Sequence, residues 1–479
     1  MLAVVLAVFF AGLPTMQAVA GPANVQYGYE PTSGAGDGSS SGSSASTKDL
    51  DGGSSALSNV KVDTPSPGFF GIITGSKLLL LALVLVVVAV GWLAWRRFSA
   101  GSDSSGMIPR LVALLAVIVA LPLVAFSTSQ SAQRAPAPKG FFGAITQTEL
   151  EARDATRMAR GGIETLRVPV EWGRIQPKNH SEFDWTRLDR IIGLAARNGI
   201  SVLPFLYAPP NWSTGAFTKL PVKTSAQRRD WKIFLRAIVA RYGPGGEYWE
   251  TDYVDPYTET ARARPIRTWQ IWNEVNFFYF ATPVSSKNYV SLLKSSSKTI
   301  KAMDPKAKIM LSGLYGSPPK KTVRAGKGFA ASEFLRQVYK RGGKKYFDIA
   351  AVHPYTPGTK TTKSLLTKFR KVMAKNRDKK APLSITEVGW GSGKDGFLDM
   401  GSEKAQAKQV KSAYNYFLKD RKKLRLKSVY WFVWQDYPRS RSACNFCYTT
   451  GWFKAGTWDQ PLKPKPAWRA FTKFSGGKP

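Results

Sequence analysis

Two glutamates stand out in a chain that is poor in acids. Glu274 closes the apolar run TWQIWNE (268–274), and Glu387 lies in SITEVGW (384–390), 113 residues later. Two carboxyl groups about 5–5.5 Å apart suit a retaining glycosidase, one as nucleophile and the other as acid/base. The nucleophile must stay ionised, which a nearby cation favours; Arg167 in TLRVPV (165–170) could supply one. The acid must hold its proton near neutral pH, which calls for an apolar surround. The aromatic stretch WQIWNEVNFFYF (269–280) gives Glu274 that surround.

Each residue has a plainer reading. An Asn-Glu pair such as Asn273-Glu274 occurs by chance in many proteins, so alone it is weak evidence. A Glu after an apolar strand is usually the first solvated residue. Arg167 reads equally as an ordinary ion-pair partner, His353 as a satisfied structural histidine, and Trp212 and Trp434 as core aromatics. Joint placement at one face of one fold favours the catalytic reading.

The elements that would place them there are regular from residue 140 onward. Short β-branched runs alternate with helical periodicity. Strands are expected at 140–145, 165–170, 201–208, 268–274, 307–314, 348–355, 381–388 and 426–435. Helices are expected at 149–160, 184–199, 224–242, 285–303, 328–341, 362–376, 402–422 and around 465–474. Asp184 is a candidate N-cap for the second helix. Strict alternation over this length predicts an α/β fold, a (β/α)8 TIM barrel, with active groups at the C-terminal strand ends. A doubly wound sheet fits less well, because FFGAITQTELEA has no Gly-rich phosphate loop. The strand ends then present Arg167, Trp212 in APPNW, Asn273-Glu274, His353-Pro354-Tyr355, Glu387 with Trp390, and Trp434 with Asp436. Trp and Tyr faces suit the C–H faces of sugars. The insertion 244–267 is expected to wall one end of the cleft.

The formal charge is +37, and residues 140–479 carry 61 basic and 26 acidic side chains. Such a surface attracts polyanions. Nucleic acid, an anionic polysaccharide and a merely solvated basic surface all fit, although no nucleic-acid motif is recognisable. Cys444 and Cys447 make half a zinc site, since structural zinc wants four ligands. With two histidines in the chain no metal site is expected. In an exported domain a small-loop disulfide is the expectation, with free thiols the alternative.

Three apolar runs precede the barrel. Residues 1–20 resemble a signal segment, ending in Ala18-Val19-Ala20. A Gly/Ser-rich region within 21–76 is expected to be disordered. Residues 77–97 read as a transmembrane helix that ends in Arg96-Arg97. A short cytoplasmic loop (98–110), then a second span or signal peptide (111–127), then a linker (128–139) lead to the domain at 140–476. The positive-inside rule puts the barrel outside the cell membrane. Met107 with its own basic n-region also reads as a fresh start, so that 1–106 would be a separate surface protein fused in frame. GFFGIIT (68–74) nearly repeats as GFFGAIT (140–146), a weak echo.

On IWNEVN and ITEVGW, in that order and spacing, the region 140–475 resembles clan A retaining glycoside hydrolases. It looks most like families 39 and 5, and in particular bacterial enzymes that act on exopolysaccharide. TTGWF with KPKPAWRAF resembles that group's last loop and helix. The resemblance implies Glu274 as acid/base and Glu387 as nucleophile. It implies Asn273 at the sugar 2-hydroxyl, Arg167 and Tyr355 orienting and ionising Glu387, and His353 and Trp434 lining the −1 subsite. Trp434 is chosen over Trp431 by strand alternation. The expectation is a monomeric, cofactor-free β-glycosidase of the bacterial cell envelope, secreted or membrane-tethered, cutting a polysaccharide internally. The alternative is a catalytically silent carbohydrate-binding barrel at the cell surface.

Overall fold

The computed structural model describes residues 137–479, apart from 147–148, 180–181, 254–262, 438–447 and 457–461. The expected signal, stalk and membrane segments, the first copy of the GFFG echo and the pair Cys444/Cys447 lie outside the described residues. No helix among the described residues is long and apolar enough to cross a membrane.

The strands are β1 (Phe142–Ile145), β2 (Thr165–Glu171), β3 (Ser201–Tyr207), β4 (Thr268–Ile271), β5 (Lys308–Met310), β6 (Leu314–Tyr315), β7 (Ala350–His353), β8 (Leu383–Val388) and β9 (Leu426–Phe432). All pair in parallel, in the order β5-β4-β3-β2-β1-β9-β8-β7-β6. The two ends of that order meet. Met310 bridges Ile349, Leu311 N–H donates to the Ile349 carbonyl at 2.9 Å, and Asn273 bridges Gly313. β5 and β6 are therefore two pieces of one stave, and the sheet closes as a (β/α)8 barrel. The expected single strand 307–314 is broken at 311–313.

The helices are α1 (Ala152–Arg160), α2 (Thr186–Arg197), α3 (Ser225–Tyr242), α4 (Ser286–Met303), α5 (Ala331–Lys340), α6 (Thr359–Lys375), α7 (Glu403–Lys419) and α8 (Pro466–Ser475). Their starts follow local chemistry. Thr224 and Gln227 form a capping box on α3. Ser285 and Ser402 accept the N–H of Asn288 and Ala405 at 3.2 Å. Pro466 opens α8 at a position where its missing N–H costs nothing. Asp184, the expected N-cap, accepts the Thr186 N–H at 3.0 Å but lies one residue before the observed N-cap, Trp185. The expected helix 402–422 divides into α7 and a short turn at Arg421–Leu424.

Parallel strands covered on both faces read as continuous apolar runs, and all six residues of β8 are buried. Gly143 on β1 is required by packing, since a Cβ there would lie 2.3 Å from the Tyr430 ring. The end of β9 is tied to the start of α8 by a buried pair, Lys465 Nζ to Asp436 Oδ1 at 2.6 Å. Lys465 also donates to Ser392 and the Thr449 carbonyl.

The described residues of the insertion 244–267 form no cleft wall. They follow α3 and precede β4, at the N-terminal pole of the barrel, opposite the expected mouth. They brace α2 and α3. Tyr248 donates to the Asp189 carbonyl at 2.9 Å, Trp249 Nε1 to the Tyr242 carbonyl at 2.9 Å, and Asp252 accepts from Arg241 at 2.6 Å.

Candidate active site

Arg167 is wholly buried on β2 and serves three residues. Its Nε donates to Gln270 Oε1, its Nη1 to Glu387 Oε1 and its Nη2 to Asn273 Oδ1, each at 2.7 Å. The guanidinium also lies 3.8 Å above the Phe205 ring. Tyr355, just past β7, donates to the other oxygen of Glu387 at 2.6 Å. Both oxygens of Glu387 are thus fixed, by a cation and a phenol. Arginine only donates, so Asn273 must present Oδ1 to it, which leaves the Nδ2 amide as a donor for a ligand.

Glu274 is set by a longer route. Gln270 Oε1 is committed to Arg167, so its Nε2 must donate, to the Leu311 carbonyl at 3.0 Å and Thr386 Oγ1 at 3.3 Å. Thr386 Oγ1 lies 2.9 Å from His353 Nε2, and His353 Nδ1 lies 2.7 Å from Glu274 Oε1. Because Thr386 accepts from Gln270, its own hydrogen is free for Nε2. The imidazole then carries its proton on Nδ1 and donates to Glu274 Oε1. This tautomer is inferred from the bonding pattern. With Oε1 accepting, a proton held by Glu274 sits on Oε2. The imidazole fits because residue 313 is glycine: a Cβ there would lie 1.8 Å from His353 Nε2.

The backbone helps to aim Glu274. Trp272 and Glu274 have φ of +74° and +37°, values that side-chain-bearing residues seldom adopt. Such conformations cost on the order of 1–3 kcal/mol each and persist where surroundings over-determine them. Trp272 N–H donates to the Leu206 carbonyl and its Nε1 to the Phe280 carbonyl. Glu274 N–H donates to the Gly313 carbonyl at 3.2 Å.

Electrostatics separate the two acids. Burial first, and then the charge of Glu387, push Glu274 well above the usual carboxylate range, with Arg167 pulling the other way. Burial also raises Glu387, opposed by Arg167 and by the Tyr355 hydrogen bond. The upward push is the stronger on Glu274. Burial and Arg167 hold His353 well below the usual histidine range, so it is neutral. Each glutamate side chain keeps 9% of its surface exposed.

Glu274, His353 and Glu387 offer ligand atoms within 4.8 Å of one another. The cluster is nevertheless a poor cation cage. Both Glu387 oxygens are engaged, and a fixed guanidinium lies 2.7 Å from one of them.

The expected aromatic residues are placed differently. Trp434 is fully buried among Trp452, Phe453 and Trp468. Trp390 is also fully buried, its Nε1 donating to the Thr356 carbonyl at 2.8 Å. Neither exposes a face on which a sugar could stack. Trp212 is half-buried, edge-on to Trp172, and donates to the Gln176 carbonyl. The ring from β9 that meets Tyr355 is Phe432, edge-on at 6.0 Å. Exposed rings occur at Tyr279, stacked on Phe278 at 4.5 Å, and at Phe397. Phe397 and Tyr355 line a cavity of about 340 Å³ with Thr356, Thr361 and Lys368.

Sequence reading missed Gln270, Thr386, Phe205 and Phe432. It also missed Glu171, which accepts the Tyr207 hydroxyl at 2.8 Å and pairs with Arg174 at the ends of β2 and β3. The available signal was a polar residue beside apolar ones inside a strand, as at Gln270 in TWQI and Thr386 in SITEV.

The family signature of cellulase (glycosyl hydrolase family 5) matches residues 133–437. The chain belongs to that family. Residues 133–437 accordingly carry a clan A glycoside hydrolase domain. Its fold is similar to that of a family 39 glycoside hydrolase from Bacteroides cellulosilyticus WH2, with a TM-score of 0.52 at 19% identity. The match covers 71% of this chain and 64% of that one, so the family 5 chain spans less than two thirds of that relative's length. A GH39 β-xylosidase from Caulobacter crescentus gives a TM-score of 0.49 at 19% identity, over 71% of this chain and 72% of that one. An exo-β-1,4-mannosidase from Opitutaceae bacterium strain TAV5 gives 0.49 at 16%, over 70% and 59%. At such identities the likeness is one of fold alone. No curated protein matches the chain in sequence.

Proposed function

We propose that this family 5 enzyme is a retaining β-glycosidase that cuts a polysaccharide at internal bonds. The observation that carries the reading is the Glu274/Glu387 pair, within 4.8 Å through one oxygen each and pushed unequally toward the protonated form. A short separation leaves no room for a water between carboxylate and anomeric carbon, as inversion would need. Glu387, faced by Arg167 and Tyr355, is the ionised partner. It attacks the anomeric carbon while Glu274 delivers its Oε2 proton to the leaving oxygen. Glu274 then takes a proton from water, and that water releases the sugar from Glu387. Asn273 Nδ2 donates to the sugar 2-hydroxyl.

Internal cutting is supported by aromatic surface beyond the pair itself, at Phe278-Tyr279, a few residues after Glu274, and at Phe397, which shares a cavity with Tyr355. The basic charge of the domain favours an anionic polymer. The apolar runs at 77–97 and 111–127 favour a site of action outside the cell membrane, with the chain tethered or secreted.

Product stereochemistry tests the mechanism. Proton NMR of the first-formed sugar should show the β-anomer from a β-linked substrate. An α-anomer would sink the retaining assignment. Sizing of products from polysaccharide digests separates internal from terminal cutting.

A further inference from the structure

An anionic substrate would account for positive charge near the carboxylates, but the fold gathers fourteen basic residues at the opposite pole. α5, α6 and α7 each end in a loop that leads into β7, β8 or β9. Those loops read KRGGKKYF (340–347), KNRDKKAP (375–382) and KDRKKLRLK (419–427), with fourteen Lys and Arg against two Asp. Thirteen of the fourteen are exposed. Because β7, β8 and β9 are neighbours, the loops form one surface. Lys344 Nζ donates to the Arg377 carbonyl at 2.5 Å, and Leu383 N–H to the Arg425 carbonyl at 3.0 Å.

Cations at helix C-termini complement the helix dipole, but that effect is confined to the last turn. Here the basic residues run five to eight positions past the ends of α5, α6 and α7. The surface lies at the N-terminal pole, opposite the carboxylates. The same pole is not uniformly basic: just past α3 the chain carries Glu247 and Asp252, both paired with Arg241.

The chain's own course indicates what faces that sector. Residues 137–141 enter the barrel at the N-terminal end of β1, beside β9. The apolar run LVALLAVIVALPLVAF (111–126) stops ten residues before residue 137. Ten residues span at most about 35 Å. A bilayer holding that run lies within reach of the basic sector, whereas the substrate belongs at the other pole. We infer that the β7–β9 sector docks on an anionic phospholipid surface and so turns the catalytic mouth away from the membrane. The inference rests on 111–126 being a membrane span and is independent of the catalytic roles.

Lysine acetylation tests it, followed by mass spectrometry on the full chain in vesicles. Phosphatidylcholine vesicles are compared with vesicles containing one third phosphatidylglycerol. Lys379, Lys422 and Lys423 should react several-fold more slowly in the anionic vesicles. The difference should close near 0.5 M salt, where charges are screened within about 4–5 Å. Lys320 and Lys321, in the loop after β6 at the mouth, should react alike in both. The exposed replacements K419E, K422E, K423E and K427E together should abolish the protection of Lys379 while hydrolysis of a soluble substrate is kept. Equal rates in both lipids, or equal slowing at both poles, would overturn the proposal. Protection by soluble dextran sulfate with none by vesicles would also overturn it, and would make the sector a glycan-binding face.

Discussion

Arg167 is joined to Glu274 by four consecutive hydrogen bonds, through Gln270, Thr386 and His353, while it holds Glu387 directly. One buried cation thus orients both acids, by routes of different length. The direct contact favours ionisation of Glu387. The long route ends on Oε1 of Glu274 and leaves Oε2 to carry the proton.

Replacing Glu387 by Gln removes the attacking oxygen and keeps the shape. Turnover of an aryl glycoside should fall on the order of 10⁴-fold or more. Wild-type turnover in this variant would refute the assignment of the nucleophile.

The variant E274Q should show its defect selectively. Substrates with poor leaving groups should slow about 10²–10⁴-fold, the range for a lost general acid. Glycosylation by a dinitrophenyl glycoside, whose leaving group needs no proton, should slow far less. Equal loss on both substrates would argue against the acid role.

Thr386→Val tests the long route. Valine keeps the volume but cannot donate to His353 Nε2, so the imidazole loses the bond that fixes its tautomer. The basic limb of the pH–rate profile, which reports Glu274, should move. The rate loss should again be larger for poor leaving groups, and the acidic limb should stay in place. An unchanged profile with a uniform loss would make Thr386 merely structural.

Arg167→Met should shift the other limb. Arg167 lowers the proton affinity of Glu387, so its loss raises that affinity, and the acidic limb of kcat/KM moves to higher pH. A fall on the order of 10²–10³-fold is expected at neutral pH, as for other single electrostatic donors.

Lys465→Met should destabilise the fold without touching the carboxylates. Burial pushes Asp436 up to about 6 even with Lys465 beside it. Removing one member of a buried ion pair costs about 3–5 kcal/mol. Chemical denaturation at neutral pH measures the loss. A change under about 1 kcal/mol would show that water or Ser392 replaces the ammonium.

The barrel was legible because parallel strands covered on both sides leave long apolar runs, as at SITEV and SVYWF. The two glutamates were legible because they end such runs. The aromatic lining was not. β9 ends at Phe432, so alternation carried past it to Trp434 had no strand to rest on. Exposure of a ring is a tertiary property, and Trp390 looks the same in sequence whether it faces a sugar or Thr356. The described parts of the insertion 244–267 lie at the pole opposite the expected one, although their order, after a helix and before a strand, already places them there. Gln270 and Thr386 were passed over because a lone polar residue in a strand has no meaning until its partners are known.

The left-handed backbone at Trp272 and Glu274 has a consequence for anyone who would harden this protein. Glu274 sits in a conformation glycine would adopt without strain, beside a second buried acid that repels it. Its proton affinity is higher folded than unfolded, so its ionisation opposes folding increasingly as pH rises above the ordinary carboxylate range. A search for thermostable variants at neutral or alkaline pH should therefore return Glu274→Gly and Glu274→Gln among its gains. Stability selected without a check on activity would erase the enzyme first at the residue its fold finds hardest to hold.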